Sequence, residues 1–256
     1  MIDGHVLQNE VARLLTVLYE KRFGALGRLT LTKLLSKNPY LYRALGLMRP
    51  SDFIEQVLVA FVSSSDETIF GNDFLEPLAI FSAQQAALTG AGGATVTVGA
   101  GAGQGIAIET ATHYMAVSVK SGKNIFNAQS DKGQSAEFKA MRARLKKLGK
   151  TFKPVIGYGY GRKRANPASE VEKLAGQAFW HMLTGEQDYF LRISQAMGHI
   201  AGLHGAAYKV AFEKTYNALM KQFVGNFVAD DGEIQWEKLV EFNSAVQRPA
   251  SLKVAN

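Results

Sequence analysis

The run GIAIETATHYMAVSVKSGKN, from Gly105 to Asn124, decides the fold. It alternates at a period of two through IAIE, breaks at a short polar turn and resumes through HYMAVSVK. That pattern predicts a β-hairpin. Side chains alternate across a strand, so Tyr114, Ala116, Ser118 and Lys120 share one face while Met115, Val117 and Val119 share the other. A lysine that closes an otherwise apolar strand reads in two ways, as a stem snorkelling to water or as a cation placed in a site.

Working outward, LTGAGGATVTVGAGAGQG precedes the hairpin and predicts a glycine-rich loop around a short strand, TVTV. Its glycines do not match G-x-G-x-x-G, and no Gly-Lys-Ser/Thr follows, so it is no nucleotide fingerprint. Before it, Val6, Val11, Leu14, Leu15 and Leu18 fall at helical spacing. Asn38-Pro39 predicts a stop between two short helices, Ser51 and Asp52 cap a helix through Phe61, and a further helix is expected from about Asp66 to Ala87. After the hairpin come a polar loop, a basic helix from about Ala136 to Leu148 and a third strand in FKPVIGYGYG. Ser169 with Glu172 forms a capping box that predicts the start of a helical C-terminal third. The expected organisation is one domain over 1–256, with a helical part (1–90), a sheet core (91–165) and a second helical part (166–256).

With 256 residues, 47% of them hydrophobic, the chain can bury a substantial core. It has no cysteine, which excludes disulfides and thiolate metal sites and fits a reducing cytoplasm. The N-terminus has acidic residues where a signal peptide is basic, and no window reaches 18 uninterrupted apolar residues, so neither export nor a membrane span is supported. The formal charge is +7. Ten Lys or Arg and no Asp or Glu fall between Lys139 and Arg164. Such a block is either a solvated face or a surface that tracks phosphates.

Ten residues separate position 107 from Ser118, which is followed by Lys120. This arrangement resembles the PD-(D/E)XK nuclease superfamily. Gly105-Ile106-Ala107-Ile108-Glu109 followed by Val117-Ser118-Val119-Lys120-Ser121-Gly122 resembles more closely a group of type II restriction endonucleases, whose first segment reads Gly-Ile-Asp-hydrophobic-Glu. SKNPYLYRA (Ser36 to Ala44), SSSDETIFGNDFLE (Ser63 to Glu76) and VIGYGYGR (Val155 to Arg162) extend the likeness over roughly residues 30 to 165. The fold implied is an α+β or α/β restriction-endonuclease-like core, a small mixed sheet flanked by helices.

The resemblance implies a Mg²⁺-dependent, sequence-specific hydrolysis of double-stranded DNA by a homodimer that reads a short symmetric site. The implied metal ligands are an Asp at position 107, the main-chain carbonyl of Val119 and an upstream helical glutamate, matched by Glu67. Lys120 would orient the attacking water. Ser118 stands where the pattern more often has an acid, and Glu109 shares a strand face with 107. Lys123, Asn124, Asn127, Gln129 and Ser130 match the loop after the lysine and are candidate DNA contacts, with Arg162, Lys163 and Arg164 as phosphate clamps.

Ala107 has no oxygen donor, so the chain is expected to be cleavage-deficient. A substitution introduced to trap uncut DNA, a naturally degenerate nuclease and a different alignment are three accounts of it. A non-catalytic DNA-binding module and a repair or junction nuclease are the alternative functions. The five histidines show no ligand spacing, and no Gly-x-Ser-x-Gly elbow supports a serine hydrolase.

Overall fold

The structure, a computed structural model, describes residues 1–90, 93–99, 105–121, 128–164, 166, 169–198 and 200–246. The chain divides into two compact units, each drawn from separated segments. Met1–Leu18 joins Ile69–Gly202 in the first; Tyr19–Thr68 joins Leu203–Asn256 in the second.

The elements run α1 (Gly4–Gly27), α2 (Leu31–Leu34), α3 (Pro39–Ala44), α4 (Pro50–Ile69), a π-helical turn (Phe70–Leu75), α5 (Glu76–Thr89), β1 (Thr95–Val98), β2 (Ile106–Glu109), β3 (His113–Lys120), α6 (Ala128–Lys147), β4 (Thr151–Tyr158), β5 (Glu172–Ala175), α7 (Gln177–Thr184), α8 (Tyr189–Gly198), α9 (Ala201–Phe227) and α10 (Trp236–Ser244). None of these helices is long and apolar enough to cross a membrane among the described residues.

The five strands form one sheet in the order β1-β2-β3-β4-β5. The first three pair antiparallel, β2 with β3 as the hairpin reading required, and β4 and β5 then add in parallel, making the sheet mixed. Lys120, Tyr158 and Ala175 are partners in register, so the three parallel strands finish at one level.

Period-two alternation gives the sheet two apolar faces. On one, Ile106, Val117 and Val155 pack with Leu78, Ala79 and Ala83 of α5, Phe179 and Leu183 of α7, and Leu7, Val11 and Leu14 of α1. On the other, Ala116, Ile156 and Tyr158 lie with Phe138 and Leu145 of α6. Phe138, Met141 and Leu145 recur at helical spacing, which is why this strongly basic helix still has a buried side. Its last turn carries Arg144, Lys146 and Lys147, where cations oppose the helix dipole favourably. In the second unit, Phe53, Ile54, Val57 and Leu58 of α4 join Phe223 and Phe227 of α9 and Trp236 and Leu239 of α10 in a separate core. There Asn38 accepts from the N–H groups of Tyr40 and Leu41 and Pro39 takes the first helical position, so the expected break opens α3.

Three local expectations give way. Helix α6 begins at Ala128, inside the stretch expected to be a polar loop. The helices expected before and after Asp66 are one run: α4 passes through the π turn into α5, and the Glu76 N–H reaches five residues back to the Gly71 carbonyl. Pro77 follows, with no N–H to return to residue 73. The capping box at Ser169 also fails. The Ser169 hydroxyl donates to the Val171 carbonyl and accepts from the Val171 N–H, and Glu172 opens β5 instead. Pairing with Val155 to Tyr158 of β4 outweighs a local cap. The next helix, α7, starts after Gly176, whose φ of 54° and approach to the Gly161 carbonyl leave no room for a Cβ.

Candidate active site

The site is built where β2 leaves the hairpin. Ile106 is the register partner of Val117, yet the Gly105 N–H also donates to the Val117 carbonyl, at 3.0 Å. Two successive residues thus address one, which is a β-bulge. The bulge turns Gly105 toward α5: a Cβ there would lie 2.6 Å from Glu76 Oε1 and 3.2 Å from Val119 Cγ2. Only a glycine lets the Glu76 carboxylate rest against the strand.

Glu76 is half-buried at the first position of α5. Burial raises its pKa above the ordinary carboxylate value, and the Lys120 ammonium pulls it back down. Lys120 is itself half-buried at the end of β3, and its carbonyl accepts the Gly159 N–H at 2.9 Å. The structure therefore brings Lys120, Gly105 and Glu76 together. Sequence reading missed Glu76, although it ends the quoted segment SSSDETIFGNDFLE; its helical position before Pro77 is the signal that could have found it. Glu67, the acid chosen from sequence, is exposed on α4 and belongs to the second unit.

Ala107 is 3% exposed and pairs with Ala116. Ser118 is its diagonal neighbour on the same face, about 7–8 Å away between Cα atoms. Lys120 lies four residues beyond Ala116 along β3, about 13 Å at the usual rise. Ser118 is fully buried, and its hydroxyl donates to Gln134 Oε1 of α6 at 3.0 Å. The Gln134 Nε2 is buried with no partner, and a buried unpaired donor costs about 1–3 kcal/mol. Glu109 does not turn into this site. It pairs with Lys150, which also donates to the Thr110 carbonyl at 3.0 Å, at the turn end of the hairpin.

Of the DNA-contact candidates, Lys123, Asn124 and Asn127 lie outside the described residues, and Gln129 and Ser130 are described only by their backbone in α6. Arg162, Lys163 and Arg164 are exposed on the segment after β4, where Lys163 Nζ sits 4.9 Å from the Tyr158 ring centroid. Arg162 and Lys163 line a cleft of about 750 Å³ with Phe70, Trp180 and Phe190.

A family model described as Type II restriction endonuclease EcoO109I matches residues 5–203. The chain belongs to this family. The match extends beyond the 30–165 likeness to include α1, β5, α7 and α8. No curated protein matches the chain. Membership in a restriction endonuclease family implies a nuclease that acts on DNA.

Type II restriction endonucleases generally use Mg²⁺, a hard cation that takes oxygen ligands in octahedral geometry. The residues present do not fit it. Ala107 offers no donor, Ser118 is neutral and bonded to Gln134, and Glu76 is a single carboxylate. No group of three His, Asp or Glu that could hold a metal occurs among the described residues.

Proposed function

We propose that the chain is a sequence-specific type II restriction endonuclease in a form that binds double-stranded DNA without cutting it, because alanine stands where the metal-binding aspartate belongs. The observation that carries this reading is the convergence of Lys120 and Glu76 across the Gly105 bulge, beside a face where Ala107 and Ser118 contribute no negative charge. Half-buried Lys120 supplies a cation whose field acts on a phosphodiester with little screening by water. Glu76 balances that charge and holds the ammonium near the strand end. Arg162, Lys163 and Arg164, on the loop beyond β4, contact backbone phosphates. The Mg²⁺ chemistry of the family belongs to the aspartate form and not to the chain as it stands. A homodimer working in the cytoplasm, one protomer per strand of a two-fold symmetric site, completes the reading.

The second reading, a non-catalytic DNA-binding module on the same fold, is favoured by one observation, the absent acid at 107. Digestion of a fully sequenced plasmid in Mg²⁺ by the chain and by Ala107→Asp separates the two. Discrete fragments with one end sequence, from the aspartate form alone, support the endonuclease. A folded aspartate form that leaves the DNA intact supports the module.

A further inference from the structure

Gln134 presents a polar group with nothing to bind. It is 6% exposed, its Oε1 accepts from the Ser118 hydroxyl, and its Nε2, which carries two N–H donors, is buried without a partner. A buried amide donor calls for an acceptor. Around it the sheet face is made of the smallest side chains: Ala116 is fully buried, Ala107 is 3% exposed, and Ser118 is already engaged. Ala107 and Ser118 are diagonal neighbours on that face, so a side chain one carboxylate longer at 107 extends toward the atoms Ser118 touches.

We infer that position 107 is a place for a carboxylate facing α6, and that Gln134 is the positioning residue that holds it by donating from Nε2. The alanine at 107 then leaves the donor orphaned. This account takes from the nuclease reading only the identity of position 107 as an acid position. It also bears on why alanine is there: a site long relieved of its acid has no reason to retain a buried donor aimed at nothing.

The test is a double-mutant cycle of Ala107→Asp with Gln134→Leu, read by urea unfolding of the whole chain in EDTA without DNA. Leucine matches the volume of glutamine and removes both amide atoms, and loss of the Ser118 bond cancels because it occurs on both sides of the cycle. The expected result is favourable coupling of about tenfold or more in the unfolding equilibrium constant, as for a hydrogen bond to a charged group. Ala107→Asn, which offers a neutral carbonyl, should couple in the same direction by about threefold. Coupling below twofold for both substitutions overturns the inference. So does failure of both to fold while Gln134 is intact, since position 107 then does not accept the group. Because neither metal nor cleavage enters the measurement, an inactive aspartate form leaves this result standing, and an uncoupled cycle leaves the endonuclease reading standing.

Discussion

Gly157 offers a direct test of how the sheet beneath the site is held. It sits in β4 between Val119 of β3 and Leu174 of β5. A Cβ on it would meet three atoms of the Phe179 ring at 2.1, 2.3 and 2.8 Å. Carbon atoms in contact settle near 3.5–4.0 Å, so Gly157→Ala must drive the ring back by about 1.4 Å. Phe179 is fully buried and its ring lies 5.1 Å from that of Trp180, so its retreat presses on packed neighbours. Overpacking of this kind costs about 3 kcal/mol, which lowers the melting temperature of the first unit by roughly 6–12 °C. Thermal and urea unfolding followed by circular dichroism measure it. The control is Phe179→Leu, which removes the clashing ring atoms: Gly157→Ala should cost at least 2 kcal/mol less in that background, a coupling in the range seen for residues in contact. A single-mutant loss under about 1 kcal/mol, or a loss unchanged by Phe179→Leu, would refute the claim that α7 packs directly on the backbone of β4.

Three further outcomes follow from buried groups. Burial raises the Glu76 pKa, so the folded chain holds that proton more tightly than the unfolded one; the stability it contributes is full below the unfolded value of 4.5 and lost as pH rises through the folded value. Glu76→Gln should therefore raise the melting temperature at pH 7–8 and flatten its acid-side pH dependence, while abolishing cleavage in the Ala107→Asp form. Tyr189 is fully buried, donates to Ser82 at 2.8 Å and is pushed up to about 12 by burial, so stability present below pH 10 falls as pH climbs toward 12. Tyr189→Phe should cost about 1 kcal/mol at neutral pH and blunt that alkaline loss, both seen in unfolding curves at several pH values. Glu186 accepts from the Ile2 N–H and pairs with Arg192, which also donates to the Ile2 carbonyl at 2.6 Å. Glu186→Leu strands a mostly buried guanidinium and should cost about 3 kcal/mol; the same stability as the parent would show the clamp to be idle.

The hairpin was legible because period-two alternation on both sides of a short turn has few other solutions, and the family likeness then supplied the order of elements around it. Lys120 was singled out the same way, as the polar end of an apolar strand. Glu76 was not, because its place beside Gly105 and within the field of Lys120 comes from residues about 30 and 45 positions away, and its position before Pro77 was the one local mark it carried. The Gly105 bulge was hidden for a related reason: one glycine in a glycine-rich run carries no mark of which residue the partner strand will face. Ser169 shows the opposite error. Its cap signal was locally sound, but a four-residue stretch that completes a parallel sheet gains more from β4 than a helix start gains from one hydroxyl. Gly176 held the true boundary, as a residue whose backbone conformation excludes other side chains.

The common finishing level of β3, β4 and β5 has a practical consequence for redesign. Each strand delivers its next residues, Ser121, Gly159 and Gly176, to the same rim, while the packed interior lies along the strand bodies behind them. Chemistry and recognition can change in the exposed residues just beyond that rim without disturbing what keeps the chain folded. A library meant to alter which DNA the protein prefers is best spent on the exposed residues Tyr160, Arg162, Lys163 and Arg164, keeping Gly159, where a Cβ would meet Leu75 at 2.6 Å, and Gly161, whose φ is 93°, and least well spent on α5 or α7, whose buried faces admit few alternatives.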